Sequence, residues 1–100
     1  MELKIKEIKL IKEITEKAEF IFSDDLGIRC CLFADKHTSE TDRAIALACK
    51  LSFAGIKKLE SKKVIPPDSI FVDDECLHIT IKKEVFESVA SKFDISRIDE

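Results

Sequence analysis

Apolar and polar residues fall into runs of two different periods along this chain. Leu3 and Ile5 alternate with Lys4 and Lys6, the period of a half-buried strand, and the phase then shifts to Ile8 and Leu10. A strand over Glu2–Ile14 with a bulge accommodates that shift, although Leu10, Ile14 and Ala18 also fall at helical spacing. Ala18–Phe22 and Ile28–Ala34 are predicted strands on either side of Ser23-Asp24-Asp25-Leu26-Gly27, a turn cluster in which Gly27 can take a positive φ. Both faces of the second strand are apolar, which predicts a central position in a sheet. Ser39 with Asp42 three residues on has the form of a capping box. Ala44, Leu47, Leu51 and Ala54 then make one helical stripe, flanked by Ile45, Ala48 and Cys49, with Gly55 as the C-cap.

The second half repeats the alternation. Lys62–Ile65 reads as a short strand stopped by Pro66-Pro67. Ser69–Val72 and Leu77–Lys82 are predicted strands around Asp73-Asp74-Glu75. In the later one Leu77, Ile79 and Ile81 face inward, and His78, Thr80 and Lys82 outward. Lys83–Phe93 is a predicted helix with Val85, Phe86, Val89, Ala90 and Phe93 on its apolar face. Ile21–Ile28 aligns without gaps on Ile70–Leu77, each copy carrying an Asp-Asp pair at its tip. These elements predict an α+β fold: an antiparallel sheet of five to six strands with two helices on one face, arranged as two βββα units in series. At 100 residues, the chain is expected to form one domain over 1–100.

Composition narrows the function by exclusion. Two glycines 28 positions apart allow neither G-x-G-x-x-G nor G-x-x-x-x-G-K-[ST], so the usual backbone cradles for nucleotide phosphates are missing. There is no Asn or Gln, hence no N-glycosylation site and no amide to read adenine in a major groove. No run approaches the ~18 apolar residues of a membrane span, and the start of the chain lacks a signal-peptide pattern. A cytoplasmic location follows as the expectation, with the four cysteines reduced by default. The missing amides, beside 14 Lys, 11 Glu and 14 Ile, predict a thermophilic and archaeal source.

Four constellations carry candidate chemistry. No C-x-x-C exists, but Cys76-x-His78 places two metal-ligand types on one strand face. Cys30 and Cys31 must point to opposite faces of their strand, while His37, six residues beyond Cys31, is a candidate base for a thiol nucleophile. Asp24, Asp25, Asp73, Asp74 and Glu75 cluster at two hairpin tips and could share a hard cation if the tips met. Lys57, Lys58, Lys62 and Lys63 belong to a basic segment over Lys50–Lys63, a candidate contact for nucleic acid. The seven phenylalanines fall mostly at core-like positions, which disfavours base stacking by the sheet.

A sheet covered on one face leaves Arg29, Phe33 and His78 on the other, a mixed surface suited to self-association. The expected function is therefore that of a small non-catalytic binding or accessory protein without a cofactor, self-associating or docking a protein partner through that face. The alternatives are a nucleic-acid-associated protein using the basic segment, which is not favoured, and a thiol- or metal-dependent protein using its Cys and His residues. No membrane partner is expected.

Overall fold

In the computed structural model, which describes residues 3–33, 41–73 and 76–93, helical periodicity governs the start of the chain. Helix α1 spans Ile5–Lys17. Ile8, Ile11, Ile14 and Ala18 recur at about one turn and are buried, whereas Ile5, the residue that suggested strand alternation, is 71% exposed. Glu7 Oε1 accepts from the Lys4 backbone N–H at 2.8 Å and so caps the first turn. The strand expected over Glu2–Ile14 is thus corrected to a helix.

Strands β1 (Phe20–Asp24) and β2 (Gly27–Phe33) form the first hairpin, and β3 (Ile70–Asp73) and β4 (Cys76–Ile81) the second. They make one antiparallel sheet of order β1-β2-β4-β3, with β2 and β4 central. Helices α2 (Asp42–Ala48) and α3 (Phe53–Ser61) lie between the hairpins in sequence, and α4 (Lys83–Phe93) follows β4. Among the described residues the architecture is α+β with four strands and four helices, which corrects the expected five to six strands and two helices. The βββα unit fails with it: helices precede both hairpins, and Lys62–Ile65 forms no strand.

The single helix expected from Ala44 to Ala54 is two helices because the chain turns at Lys50. Lys50 takes φ 59°, its N–H reaches Leu47 O at 2.9 Å, and Leu51 N–H reaches Ala46 O at 2.9 Å. Those two bonds define a Schellman end. Ser52 then caps α3, its Oγ accepting from Gly55 N at 3.0 Å. Gly55 lies inside the first turn of α3 and is not a C-cap. A Cβ there would come within 2.8 Å of Leu10 Cδ2, so the glycine lets α1 and α3 approach closely. A second Schellman end closes α3 at Lys63, φ 64°, with Val64 N–H to Leu59 O and Lys63 N–H to Glu60 O, both 3.0 Å. Short helices also turn the predicted stripe: Ile45 and Ala46 are buried, while Leu47 is 73% exposed. Thr41 caps α2 through its side chain; Ser39, the expected cap, lies outside the described residues.

All four helices contribute apolar side chains to one core with the inward face of the sheet: Ile21, Ile28, Cys30, Leu32, Leu77, Ile79 and Ile81. Ile11, Ile14, Ile56 and Leu59 are fully buried in that core. Burying each such side chain contributes roughly 1.5–3 kcal/mol. On the core's margin Lys62 Nζ straddles the Glu7 carboxylate at 2.9 and 2.7 Å, which holds the Glu7 carboxyl below its usual range.

The sheet has an internal two-fold character. Phe22 pairs with Arg29 in the first hairpin, and Phe71 with His78 in the second, each residue 49 positions on. The β2–β4 ladder obeys the same shift: Ile28↔Ile81 becomes Leu77↔Leu32, and Cys30↔Ile79 lies on the axis. The gapless echo between Ile21–Ile28 and Ile70–Leu77 is thus a register match. The same symmetry sends Asp24 and Asp73 to opposite ends of the sheet, so these two do not share a cation.

Candidate metal centre on the open sheet face

Side chains of a strand alternate between faces, so the residues opposite the core are fixed by the ladder. Phe20, Phe22, Arg29, Cys31, Phe33, Phe71, Asp73, Cys76, His78 and Thr80 share that face. Among the described residues it carries no helix. Four of the seven phenylalanines are therefore outside the core, contrary to the expectation from the sequence. Phe20 is 53% exposed, Phe33 39% and Phe71 38%, and the Phe20 and Phe33 rings meet edge to face at 6.1 Å.

Cys31 on β2 lies directly opposite His78 on β4, and Cys76 is two residues before His78 on the same strand face. Both cysteines are buried but stand apart from the main core. His78 Nδ1 is 3.5 Å from Cys31 Sγ, and the donor atoms of Cys31, Cys76 and His78 all lie within 4.8 Å of one another. Ligands held about 2.0–2.3 Å from a tetrahedral ion sit roughly 3.3–3.8 Å apart. Closing the observed cluster onto an ion therefore needs movements of about an ångström or less. The imidazole is already oriented: it stacks on Phe71 at 4.7 Å with an interplanar angle of 10°.

Burial keeps both thiols protonated in the metal-free chain, so a cation bound here displaces their protons. Burial, reinforced by the neighbouring Cys31, pushes the Cys76 thiol up to about 12. Burial likewise raises Cys31, against a smaller opposing contribution from hydrogen bonding to Cys76 and from Arg29. Burial and the Arg29 guanidinium lower His78, favouring the neutral imidazole that ligates metals. Asp24 accepts from Arg29 Nε at 2.8 Å and pairs with Nη2 at 2.8 Å, and the guanidinium lies over the Phe22 and Phe71 rings at 5.5 and 5.6 Å. A depression of about 380 Å³ opens over the cluster, lined also by Phe20, Phe22, Phe33 and Asp73.

The sequence pairs Cys76 with His78 on one strand face but gives no sign that Cys31 lies beside them. Only the β2–β4 register places Cys31 against His78, 47 positions apart. Cys30 points into the core, as adjacent strand residues must, and Cys49 Sγ donates to Phe33 O at 3.6 Å. His37, the candidate base, lies outside the described residues, as do Asp74 and Glu75.

The basic segment is dispersed. Lys57 pairs with Glu60 at 2.8 Å, Lys62 with the buried Glu7, and Lys50 and Lys63 form helix ends. Lys58 lines a cleft of about 610 Å³ between α1 and α3 together with Lys4, Lys6 and Lys50, on the helical side of the molecule. No helix among the described residues is long and apolar enough to cross a membrane. The chain matches no protein-family model, no curated protein and no solved structure.

Proposed function

We propose that the protein binds a borderline-soft divalent cation, zinc foremost, through Cys31, Cys76 and His78. The supporting observation is the convergence of two thiols and an imidazole within 4.8 Å from two strands distant in sequence. Sulfur and imidazole donors suit zinc and disfavour magnesium and calcium, which take oxygen. Binding releases the thiol protons, and the divalent charge neutralises the two thiolates that burial alone disfavours.

Titration of the reduced, metal-stripped chain with Co²⁺ tests this reading. The expected result is one ion per chain, a thiolate-to-cobalt charge-transfer band, and displacement by Zn²⁺. Substituting Cys31→Ser or His78→Ala is expected to weaken binding by at least about 10-fold. A chain that takes up no cobalt, or whose band survives loss of both Cys31 and Cys76, ends the reading.

Self-association through the same face is the second reading, favoured by the exposed Phe20, Phe33 and Phe71. Its occupant is a second copy of the chain. Sedimentation of the native chain and of Phe20→Ser/Phe33→Ser tests it: a dimer lost in the double variant supports it, and a monomer at high concentration removes it.

A further inference from the structure

We infer that Asp73 is the fourth ligand and closes the coordination sphere of this centre. The inference rests on the three-residue metal site and assigns the position that Cys31, Cys76 and His78 leave open. A tetrahedral zinc ion with three protein ligands keeps one exchangeable position, and one with four does not. The identity of the fourth group therefore decides whether the centre holds its metal or offers it to a substrate.

The two-fold relation of the hairpins supplies the argument. Asp24 and Asp73 occupy equivalent positions, as do Arg29 and His78. In the first hairpin the carboxylate turns along the sheet face: its Oδ1 accepts from Leu26 N at 2.8 Å and Gly27 N at 3.0 Å, and its Oδ2 takes Arg29. The long guanidinium bridges the distance between the hairpin end and the residue five positions on. In the second hairpin the shorter imidazole does not reach, and among the described residues Asp73 forms no hydrogen bond or ion pair.

Asp73 is nevertheless on the site's face. It pairs with Cys76 across the hairpin and lines the same depression as all three ligands. Asp73 stands outside the group of three donors that lie within 4.8 Å of one another, so the assignment requires its side chain to rotate inward until a carboxylate oxygen reaches the ion at about 2.0–2.2 Å. Two thiolates and one carboxylate around a divalent ion leave a single negative charge, next to the Arg29 guanidinium on the same face.

The test compares Co²⁺ affinity and spectra for the native chain, Asp73→Ala, and Asp24→Ala as the equivalent change in the other hairpin. Asp73→Ala is expected to bind at least about 10-fold more weakly, and Asp24→Ala within about 3-fold of the native chain. Azide then probes the open position: it is expected to alter the cobalt spectrum of Asp73→Ala and to leave the native spectrum unchanged. Equal affinity in Asp73→Ala, or a native spectrum that responds to azide as the variant does, overturns the fourth-ligand assignment while leaving the three-residue centre intact. A native chain that takes up no cobalt overturns the centre and this assignment together.

Discussion

Arg29 in the first hairpin and His78 in the second stand at the same point of one repeated ladder, and each lies against the phenylalanine paired with it. Arg29 sits over Phe22 and His78 stacks on Phe71. Around them the chemistry diverges. The first hairpin spends its carboxylate on a turn and an ion pair, and Gly27 lets the chain enter β2. The second replaces Gly27 with Cys76, leaves Asp73 unbonded among the described residues, and faces His78 with Cys31. Thr80, the counterpart of Cys31, is 1% exposed with an unpartnered hydroxyl. One backbone register therefore carries a structural clamp within the first hairpin and, where β4 meets β2, a cluster of two thiols and an imidazole. A sheet's register fixes which positions meet, and the side chains alone decide what the meeting does.

The largest effect separating the halves is expected at Gly27. A Cβ there would lie 2.3 Å from Ile81 O at φ +150°. Gly27→Ala should lower stability by about 3 kcal/mol in chemical denaturation, a severe value for one methyl group. Cys76→Gly, the reverse exchange at the equivalent position, should cost about half as much. Equal costs would break the claim that the first hairpin alone needs glycine.

Next is the pH dependence of the proposed metal binding where β2 meets β4. Cys31 and Cys76 are raised, so both carry protons in the metal-free chain near neutrality and lose them on binding. His78 is lowered and contributes no further proton above pH 7. Affinity should therefore rise with pH, by about 100-fold per unit between pH 7 and 8.5, and fall as pH drops. Cobalt titrations across that range measure the slope; a 10-fold rise per unit would mean that only one thiolate binds.

The smallest effects concern the carboxylates in the metal-free chain. Asp24→Ala removes two turn bonds and the Arg29 pair and should cost about 1–2 kcal/mol. Asp73→Ala should cost below about 0.5 kcal/mol, within the range of ordinary surface changes. A comparable loss from Asp73→Ala in the absence of metal would show that its carboxylate is committed to the fold.

Much of the fold is legible in the chain where local and tertiary preferences agree. The hairpins, the alternation of Leu77, Ile79 and Ile81, and the helix over Lys83–Phe93 follow from period and turn chemistry. The reading fails at α1, where Leu3 and Ile5 imitate a strand although Ile8, Ile11 and Ile14 bury as a helix. It fails again at Lys50 and Lys63, because a lysine takes a left-handed conformation that usually signals glycine. The Schellman bonds and the burial of Leu51 and Val64 offset that cost, and neither is visible in a local window.

The sequence by itself determined the two hairpins, their common offset, and the pairing of Cys76 with His78 on one strand face. These are short-range matters of spacing and side-chain alternation. The tertiary structure alone decided that β2 and β4 are neighbours, that the tips lie at opposite ends, and that Cys31 opposes His78. The physical reason is long-range packing: the apolar face of each hairpin buries only when both lie under the same helices, and the register that achieves this brings the three donors together.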